Sequence, residues 1–138
     1  MSLVTKIPLN RIKDSGGSLS VLEPLSELNL DFKRIYFLSD IKRSSIRGNH
    51  AHKKLHQLFI ALAGDCKIIF KDENSQEVVH ISENDSNAIY VPPGIWREIY
   101  NASEQFILIV FASDIYDEKD YIRNWSEYIV WKKSFKIN

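Results

Sequence analysis

The sequence contains a single cysteine, Cys66, among 138 residues. One cysteine cannot form an intrachain disulfide, so we expect a reducing compartment, with the cytoplasm as the default location. Cys66 lies in a β-branched and aromatic run, which predicts a buried and unreactive thiol in a strand. The first residues lack the apolar stretch of a secretory signal, and no window reaches the roughly eighteen apolar residues of a membrane span.

The chain also has no excess of either charge, with 18 Lys plus Arg against 18 Asp plus Glu. Without a basic run there is no electrostatic footprint for nucleic acid, and the charges predict a solvated surface. Only five glycines and 44% hydrophobic residues exclude a fibrous or disordered chain. The length predicts one domain, residues 1–138, built around one hydrophobic core.

Most of the sequence consists of short β-branched and aromatic runs, broken by turn residues every eight to twelve positions. This pattern is typical of a sandwich or barrel and predicts an all-β core. Pro92-Pro93-Gly94 should end one strand and turn the chain, and residues 72–75 should form a hairpin loop. The predicted strands are 3–9, 18–23, 34–39, 45–52, 57–63, 65–71, 77–82, 88–91, 96–100 and 105–111.

Two segments depart from strict alternation. Residues 105–111 are apolar throughout, so we expect both faces of that strand to be covered, at a central position or at a subunit contact. Residues 114–126 are polar with interspersed aromatic side chains. The spacing of Tyr121, Trp125 and Tyr128 predicts a short amphipathic C-terminal helix that packs on the barrel through these rings.

The residues best suited to chemistry lie in the segment Arg47–His52. His50 and His52 are two residues apart in an extended segment, so both imidazoles should point to the same side. Imidazole changes charge near neutral pH and is also a common metal ligand, which makes the pair suited to proton transfer or to metal binding. The nearby His56 leaves open a metal site in which it is the third ligand.

The spacing around this pair resembles the two cupin signatures, although two ligand positions differ. In the first signature a gap of three or four residues separates His-x-His from a Glu, and a gap of six separates the Glu from a Gly; Gln57 and Gly64 take these places. In the second signature, Arg97 stands where a third ligand histidine is expected. An amide and a permanently charged guanidinium do not suit a divalent cation. We therefore predict a metal-free site in which His50 and His52 act as acid and base.

Longer blocks of the chain resemble the cupin-type dTDP-4-dehydro-6-deoxyglucose 3,4-ketoisomerases, the WxcM-like family. The blocks are residues 33–38, 47–53, 90–98 and 112–123, together with Gln57 and Gly64. The family acts on dTDP-4-keto-6-deoxyglucose on the way to amino-deoxysugars of surface polysaccharides such as O-antigen and S-layer glycans. The resemblance implies a small jelly-roll barrel with one site, no cofactor, and a homodimer whose subunits share strands.

The resemblance also implies roles for individual residues. His50 would remove the proton at C3 and His52 would return a proton at C4, through an enediol. A positioned acid or base of this kind is worth a factor of about a hundred to ten thousand in rate. Donors must stabilise the charge that develops on the ketone oxygen, and Tyr36, Arg47 and Arg97 are the candidates. We expect Arg97 near the sugar and Arg47 near the diphosphate or the site wall.

Further substrate contacts are expected from Gln57, Tyr90 and Trp96, the last of which either stacks on the base or plugs the end of the barrel. Gly16 stands where family members carry an arginine, which leaves the configuration of the product at C4 open. A sugar aminotransferase is the expected partner, because a 3-keto sugar is unstable in water. The alternatives are a metal-dependent cupin, a sugar nucleotide 3,5-epimerase and a non-catalytic sugar-nucleotide-binding module.

Overall fold

Two five-stranded antiparallel sheets enclose the core in the computed structural model, which describes residues 2–23 and 31–135. One sheet has the order β1-β9-β6-β11-β4 and the other β12-β5-β10-β7-β8, while β2 and β3 form a separate hairpin. The strands are β1 (Thr5–Pro8), β2 (Asn10–Asp14), β3 (Gly17–Val21), β4 (Arg34–Leu38), β5 (Arg47–His52), β6 (Gln57–Ala63), β7 (Asp65–Lys71), β8 (Gln76–Ser82), β9 (Asn87–Val91), β10 (Trp96–Tyr100), β11 (Ile107–Ala112) and β12 (Tyr121–Ile122). A short 3-10 helix (Glu118–Asp120) precedes β12, and α1 (Trp125–Ser134) follows it.

Alternation along the strands explains how the core forms. In β7, Cys66, Ile68 and Phe70 are fully buried, and in β11 Leu108 and Val110 are fully buried. Burying each large aliphatic side chain of this kind stabilises the fold by about 1.5–3 kcal/mol. The predicted burial of Cys66 in a strand is confirmed, and this burial raises the pKa of its thiol to about 12.

The predicted all-β barrel with a short C-terminal helix is confirmed, and strands 57–63, 65–71 and 96–100 match to the residue. The two predicted turns are also present. The loop at 72–75 is closed by Asp72 N donating to Ser75 O at 3.0 Å, and the chain turns at Gly94 with φ +79°. Two strands were missed. The polar run of β2 lacks alternation and follows Pro8, which ends β1, and β12 is only two residues long.

The helix begins later in the chain than the sequence pattern predicted. Tyr121 lies in β12, where it pairs with His52, and not in a helix. The helix begins only at Trp125, after Asn124, whose side chain caps it by accepting from Glu127 N at 3.0 Å. Because Tyr121 belongs to the sheet, its ring lies beside the histidine pair instead of on the outer surface.

The apolar strand β11 takes the central position predicted for it, between β6 and β4. One of its faces is fully buried, whereas Ile107, Ile109 and Phe111 on the other face are only half-buried within the chain. Across residues 2–23 and 31–135, no helix is long and apolar enough to cross a membrane.

Candidate active site

A cavity of about 450 Å³ opens between the two sheets. Its apolar wall comes from core side chains such as Phe59, Leu108 and Val110. Its polar lining consists of Asn49 and the ionisable residues Arg34, Tyr36, Arg47, His50, Arg97, Tyr121 and Arg123. The cavity thus combines one exposed imidazole, two phenols and four guanidinium groups.

A β-bulge in β5 positions His50 at the cavity. Arg97 pairs with His50, but Glu98 pairs with Gly48, so Asn49 is an extra residue in β5. Gly48 and Asn49 both have positive φ, +88° and +52°. The bulge brings the Gly48 carbonyl oxygen close to the His50 imidazole, and His50 Nδ1 donates to this oxygen at 2.9 Å. A Cβ at Gly48 would lie 3.0 Å from the Arg97 carbonyl oxygen, so glycine is required for this close approach.

The two histidines are in direct contact, as the spacing predicted. Their Nε2 atoms lie 3.1 Å apart and the rings are nearly perpendicular, at 89°. His52 Nδ1 lies 3.0 Å from Asp120 Oδ2. His50 Nδ1 faces the Gly48 carbonyl and His52 Nδ1 faces a carboxylate, so both Nδ1 atoms carry hydrogen. Neither Nε2 atom carries hydrogen, so the two lone pairs face each other and can share one added proton.

His52 has no exposed surface, whereas His50 reaches the cavity. Burial and the nearby charge of Arg97 lower the pKa of His50 to about 4 and that of His52 to about 2. The Asp120 carboxylate acts in the opposite direction, because it stabilises a proton once the pair has taken one up. At pH 7 the pair is therefore a neutral base with a built-in counter-ion.

Arg97 begins a buried chain of hydrogen bonds next to the pair. Its guanidinium is 2% exposed, and burial lowers its pKa only to about 10, so it is charged at neutral pH. Nη2 donates to the Ile95 carbonyl at 2.9 Å, and Nη1 donates to Gln57 Oε1. Gln57 Nε2 then donates to the Tyr36 hydroxyl at 2.9 Å. Gln57 was predicted to contact the substrate. It is fully buried, and its side chain contacts Arg97 and Tyr36 instead.

These residues do not fit the metal that many cupins hold. A cation beside His50 and His52 would meet the Gln57 amide and the Arg97 guanidinium, whose positive charge opposes it. In the part of the chain that the structure describes, no three His, Cys, Asp or Glu side chains come together as ligands. His56, the alternative third ligand, is hydrogen-bonded through Nδ1 to the Tyr90 hydroxyl at 2.7 Å.

Trp96 and Tyr90 lie outside the cavity, and strand alternation explains both. Trp96 is next to Arg97 in β10, so it points to the opposite face and packs against Trp125 and Tyr128 of α1. Tyr90 points away from the core, since its neighbours Ile89 and Val91 are buried in it. Trp96 is only 4% exposed beneath α1, so it has no open face on which a base could stack, and it does not enter the barrel interior as a plug.

Four residues of the site were not singled out from the sequence, namely Arg34, Asp120, Tyr121 and Arg123. Arg34 could have been found, because it is two residues from Tyr36 on the same strand and therefore faces the same side. Asp120, Tyr121 and Arg123 come from the segment assigned to a helix. The Arg123 guanidinium carbon lies 4.2 Å from the Tyr121 ring centroid, and Arg123 Nε forms a salt bridge with Glu118 Oε1 at 2.7 Å.

Residues 3–133 match the model of the family described as FdtA: WxcM-like, C-terminal. The chain belongs to this family. A relative from Aneurinibacillus thermoaerophilus, named TDP-4-oxo-6-deoxy-alpha-D-glucose-3,4-oxoisomerase, is 37% identical over 122 residues, which cover 88% of this chain and 87% of the relative. The resemblance to the ketoisomerase family inferred from the sequence is thus confirmed.

Solved structures of similar proteins share the fold of this chain. A mutant of the 3,4-ketoisomerase QdtA from Thermoanaerobacterium thermosaccharolyticum, in complex with TDP-4-keto-6-deoxyglucose, is 35% identical, with a TM-score of 0.90 over 97% of this chain and 96% of that chain. The RmlC epimerase of Mycobacterium tuberculosis is only 15% identical, with a TM-score of 0.74 over 86% of this chain and 67% of that chain. That more distant likeness shows the shared fold alone.

Proposed function

We propose that this chain moves the carbonyl of a TDP-linked 4-keto-6-deoxyhexose from C4 to C3. It is a sugar nucleotide 3,4-ketoisomerase, in keeping with relatives that are named for this reaction. The observation that supports this reaction best is the contact between His50 and His52, backed by Asp120, beside the buried charge of Arg97. A neutral base next to a fixed positive charge is what proton abstraction beside a ketone requires.

His50 is the group that takes the proton from C3, because it reaches the cavity and is neutral at pH 7. His52 was expected to return a proton directly at C4. Its complete burial behind His50 leads us to propose instead that it acts through His50, across the 3.1 Å contact between their Nε2 atoms. The proton taken from C3 is shared by the pair, stabilised by Asp120, and delivered by His50 to C4.

The oxygen atoms also exchange a proton during the reaction. The hydroxyl at O3 loses its hydrogen as C3 becomes a ketone, and O4 gains one as C4 becomes an alcohol. Atoms and electrons balance within the substrate, so the reaction consumes no cofactor. Tyr36 and Arg97 line the cavity together with His50 and are the donors for the enediolate oxygen.

The diphosphate of the substrate needs charge-assisted donors. We assign it to the guanidinium groups of Arg34, Arg47 and Arg123, all of which line the cavity. Arg97 is left for the sugar, because it is buried beside the histidines.

Two exposed apolar surfaces support the expected homodimer with shared strands. On the edge strand β4, Ile35 and Phe37 are 59% and 67% exposed. On the β2-β3 hairpin, Ile12 and Leu19 are paired in register and are 55% and 58% exposed. Within the described ranges this hairpin pairs with no other strand, so a second copy of the chain is the partner that we propose to cover these side chains.

The single free thiol is consistent with the cytoplasm, where nucleotide-linked sugars for surface polysaccharides would be modified. A 3-keto product is unstable in water, so an aminotransferase that consumes it is the partner we propose for the next step. No nucleic-acid or membrane partner is proposed, since the chain carries equal numbers of basic and acidic residues.

The deciding experiment is NMR of the product formed from TDP-4-keto-6-deoxyglucose in heavy water, with a chelator present. Ketoisomerisation shifts the carbonyl to C3 and exchanges carbon-bound hydrogen within the C3 and C4 pair, and the coupling constants give the configuration at C4. A 3,5-epimerase would instead label C5, and a binding module would leave the substrate unchanged. Activity lost only in the chelator would point to a metal-dependent enzyme.

A further inference from the structure

The hydrogen bonds of Gln57 have a fixed direction, set by chemistry at one end. Arg97 has five N–H donors and no acceptor, so the Gln57 carbonyl oxygen must face it. The amide nitrogen must then face Tyr36, and it donates to the phenol oxygen at 2.9 Å. Since Gln57 has no exposed surface, water does not compete for either end of the amide.

This direction decides where the Tyr36 hydrogen points. The phenol oxygen uses one lone pair to accept from Gln57, so its own hydrogen must be donated elsewhere. Among the hydrogen bonds of the described residues, the Tyr36 hydroxyl has no protein acceptor, and its side chain lines the cavity beside His50 and Arg97. The hydroxyl is therefore left as a donor directed at whatever oxygen the cavity holds.

We propose that Gln57 is a positioning residue, which holds the Tyr36 hydroxyl as a hydrogen-bond donor toward the substrate oxygen and transmits the charge of Arg97 to it. This inference rests on the proposed ketoisomerase function. It explains why the position is an amide and not a carboxylate. Glutamate has the same shape but only accepts, so it would take hydrogen bonds from both Arg97 and Tyr36 and turn the phenol hydrogen away from the cavity.

The first test is a double-mutant cycle with Gln57→Glu and Tyr36→Phe, assayed on TDP-4-keto-6-deoxyglucose. We expect Gln57→Glu to lower kcat about tenfold to a hundredfold, with KM changed little, because the donor is turned away and not deleted, whereas deleting one donor to a developing oxyanion costs about a hundredfold to a thousandfold. In the Tyr36→Phe background the same change should cost almost nothing, since its target is gone. The inference is overturned if the fold-losses in kcat of the two single variants multiply in the double variant, or if Gln57→Glu is as active as the parent.

A third substitution separates hydrogen-bond direction from packing. Gln57→Met leaves Arg97 without its side-chain acceptor, but leaves the Tyr36 hydrogen free to point into the cavity. The inference therefore predicts that kcat decreases in the order parent, Gln57→Met, Gln57→Glu. A purely structural role predicts the reverse order of the two variants, because Met removes both buried hydrogen bonds. Gln76→Glu, at an exposed position in β8, is the matched control for the amide-to-acid change, and a chelator excludes a metal acquired by the new carboxylate.

A readout that needs no turnover is the ionisation of residue 36. 3-Fluorotyrosine placed there can be titrated by fluorine NMR below the pH at which the protein unfolds. Burial raises the pKa of Tyr36, while the charge of Arg97 and the Gln57 hydrogen bond lower it. We therefore expect Gln57→Glu to raise the fluorotyrosine pKa by about one pH unit or more, and Gln57→Met, which also lacks the donor, to raise it as well.

The two readouts separate this inference from the proposed function. An unshifted fluorine titration in an enzyme that isomerises the sugar overturns only the role of Gln57. A parent protein that leaves TDP-4-keto-6-deoxyglucose unchanged overturns the function itself. If Gln57→Glu does not fold, the titration of Gln57→Met decides the inference alone, because an unchanged pKa there means that Gln57 does not donate to Tyr36.

Discussion

The Asp120 carboxylate lies 3.0 Å from Nδ1 of His52, on the side of the ring opposite to His50. The second carboxylate oxygen of Asp120 accepts from Lys54 N at 2.7 Å, and the backbone carbonyl of Asp120 accepts from Lys53 N at 2.9 Å. The carboxylate is thus tied to the chain that follows the histidine pair. It fixes which nitrogen of His52 carries hydrogen, and leaves the other nitrogen facing His50.

Replacing Asp120 should therefore damage turnover more than binding. Without the carboxylate, His52 loses the acceptor that orients its ring and the charge that stabilises the protonated pair. We expect Asp120→Ala to lower kcat about tenfold to a hundredfold, a part of the factor that a positioned acid or base supplies. Steady-state kinetics measures this change, and the affinity for TDP should stay within a few-fold of the parent value.

Asp117 provides a control in the same loop. Its carboxylate caps the 3-10 helix by accepting from Lys119 N at 3.0 Å, and it has no contact with His52. Asp117→Ala therefore loosens the loop without touching the histidine. Equal losses of kcat in the Asp117→Ala and Asp120→Ala variants would mean that only loop order matters, and would contradict the role assigned to Asp120.

His50→Asn removes the base that reaches the cavity. We expect turnover to fall by a factor of about a hundred to ten thousand, because asparagine cannot accept the C3 proton. Nucleotide affinity should hardly change, since the diphosphate is assigned to Arg34, Arg47 and Arg123. Isothermal titration with TDP and a single-turnover assay measure the two quantities. Substantial remaining turnover would remove His50 from the mechanism.

The pH dependence of kcat/KM reports the ionisation of this base in the free enzyme. Burial and Arg97 lower the pKa of His50 to about 4, so the active neutral form persists well below the usual histidine range. We expect activity to be flat from pH 8 down to about 5 and to fall only near pH 4. Arg97→Gln should move this limb upward, because it removes a positive charge. A wild-type limb near pH 6.5 would contradict a desolvated His50.

Strand alternation and family spacing were enough to predict the fold and the centre of the site. The two-residue period placed His50 and His52 on one side of β5, and the missing ligand histidine drew attention to Arg97. The same period, applied to β10, would have placed Trp96 on the opposite face from Arg97. The residues of this motif alternate between the two faces of the strand, so only some of them can face the cavity.

Asp120 and Tyr121 were beyond what sequence patterns can give. They lie about seventy residues after the histidines and are brought to them only by the pairing of β12 with β5, a two-residue strand with no periodicity of its own. The bulge at Asn49 could not be predicted from the sequence either, because a register shift depends on the partner strand. Long-range pairing, not composition, completes this site.

The bulge gives a prediction about stability. Gly48 has φ +88°, and a Cβ there would lie 3.0 Å from the Arg97 carbonyl oxygen. We expect Gly48→Ala to lower the free energy of unfolding by about 1–3 kcal/mol, and to lower activity because His50 shifts. Gly16→Ala is the control, since the new Cβ there meets only the flexible Asp14 side chain. Urea denaturation measures both; equal stability of the two variants would show that the bulge tolerates a side chain.

The exposed apolar side chains of β4 and the hairpin predict the assembly state. If a second copy covers Phe37 and Leu19, placing a charge at either position buries an unpaired ion in the interface, which is strongly unfavourable. We expect Phe37→Lys and Leu19→Lys each to shift the protein from dimer to monomer in analytical ultracentrifugation. Val130→Lys, at a position 70% exposed on α1, should leave the dimer intact. A monomeric parent, or a dimer that survives both changes, would place the subunit contact elsewhere or remove it.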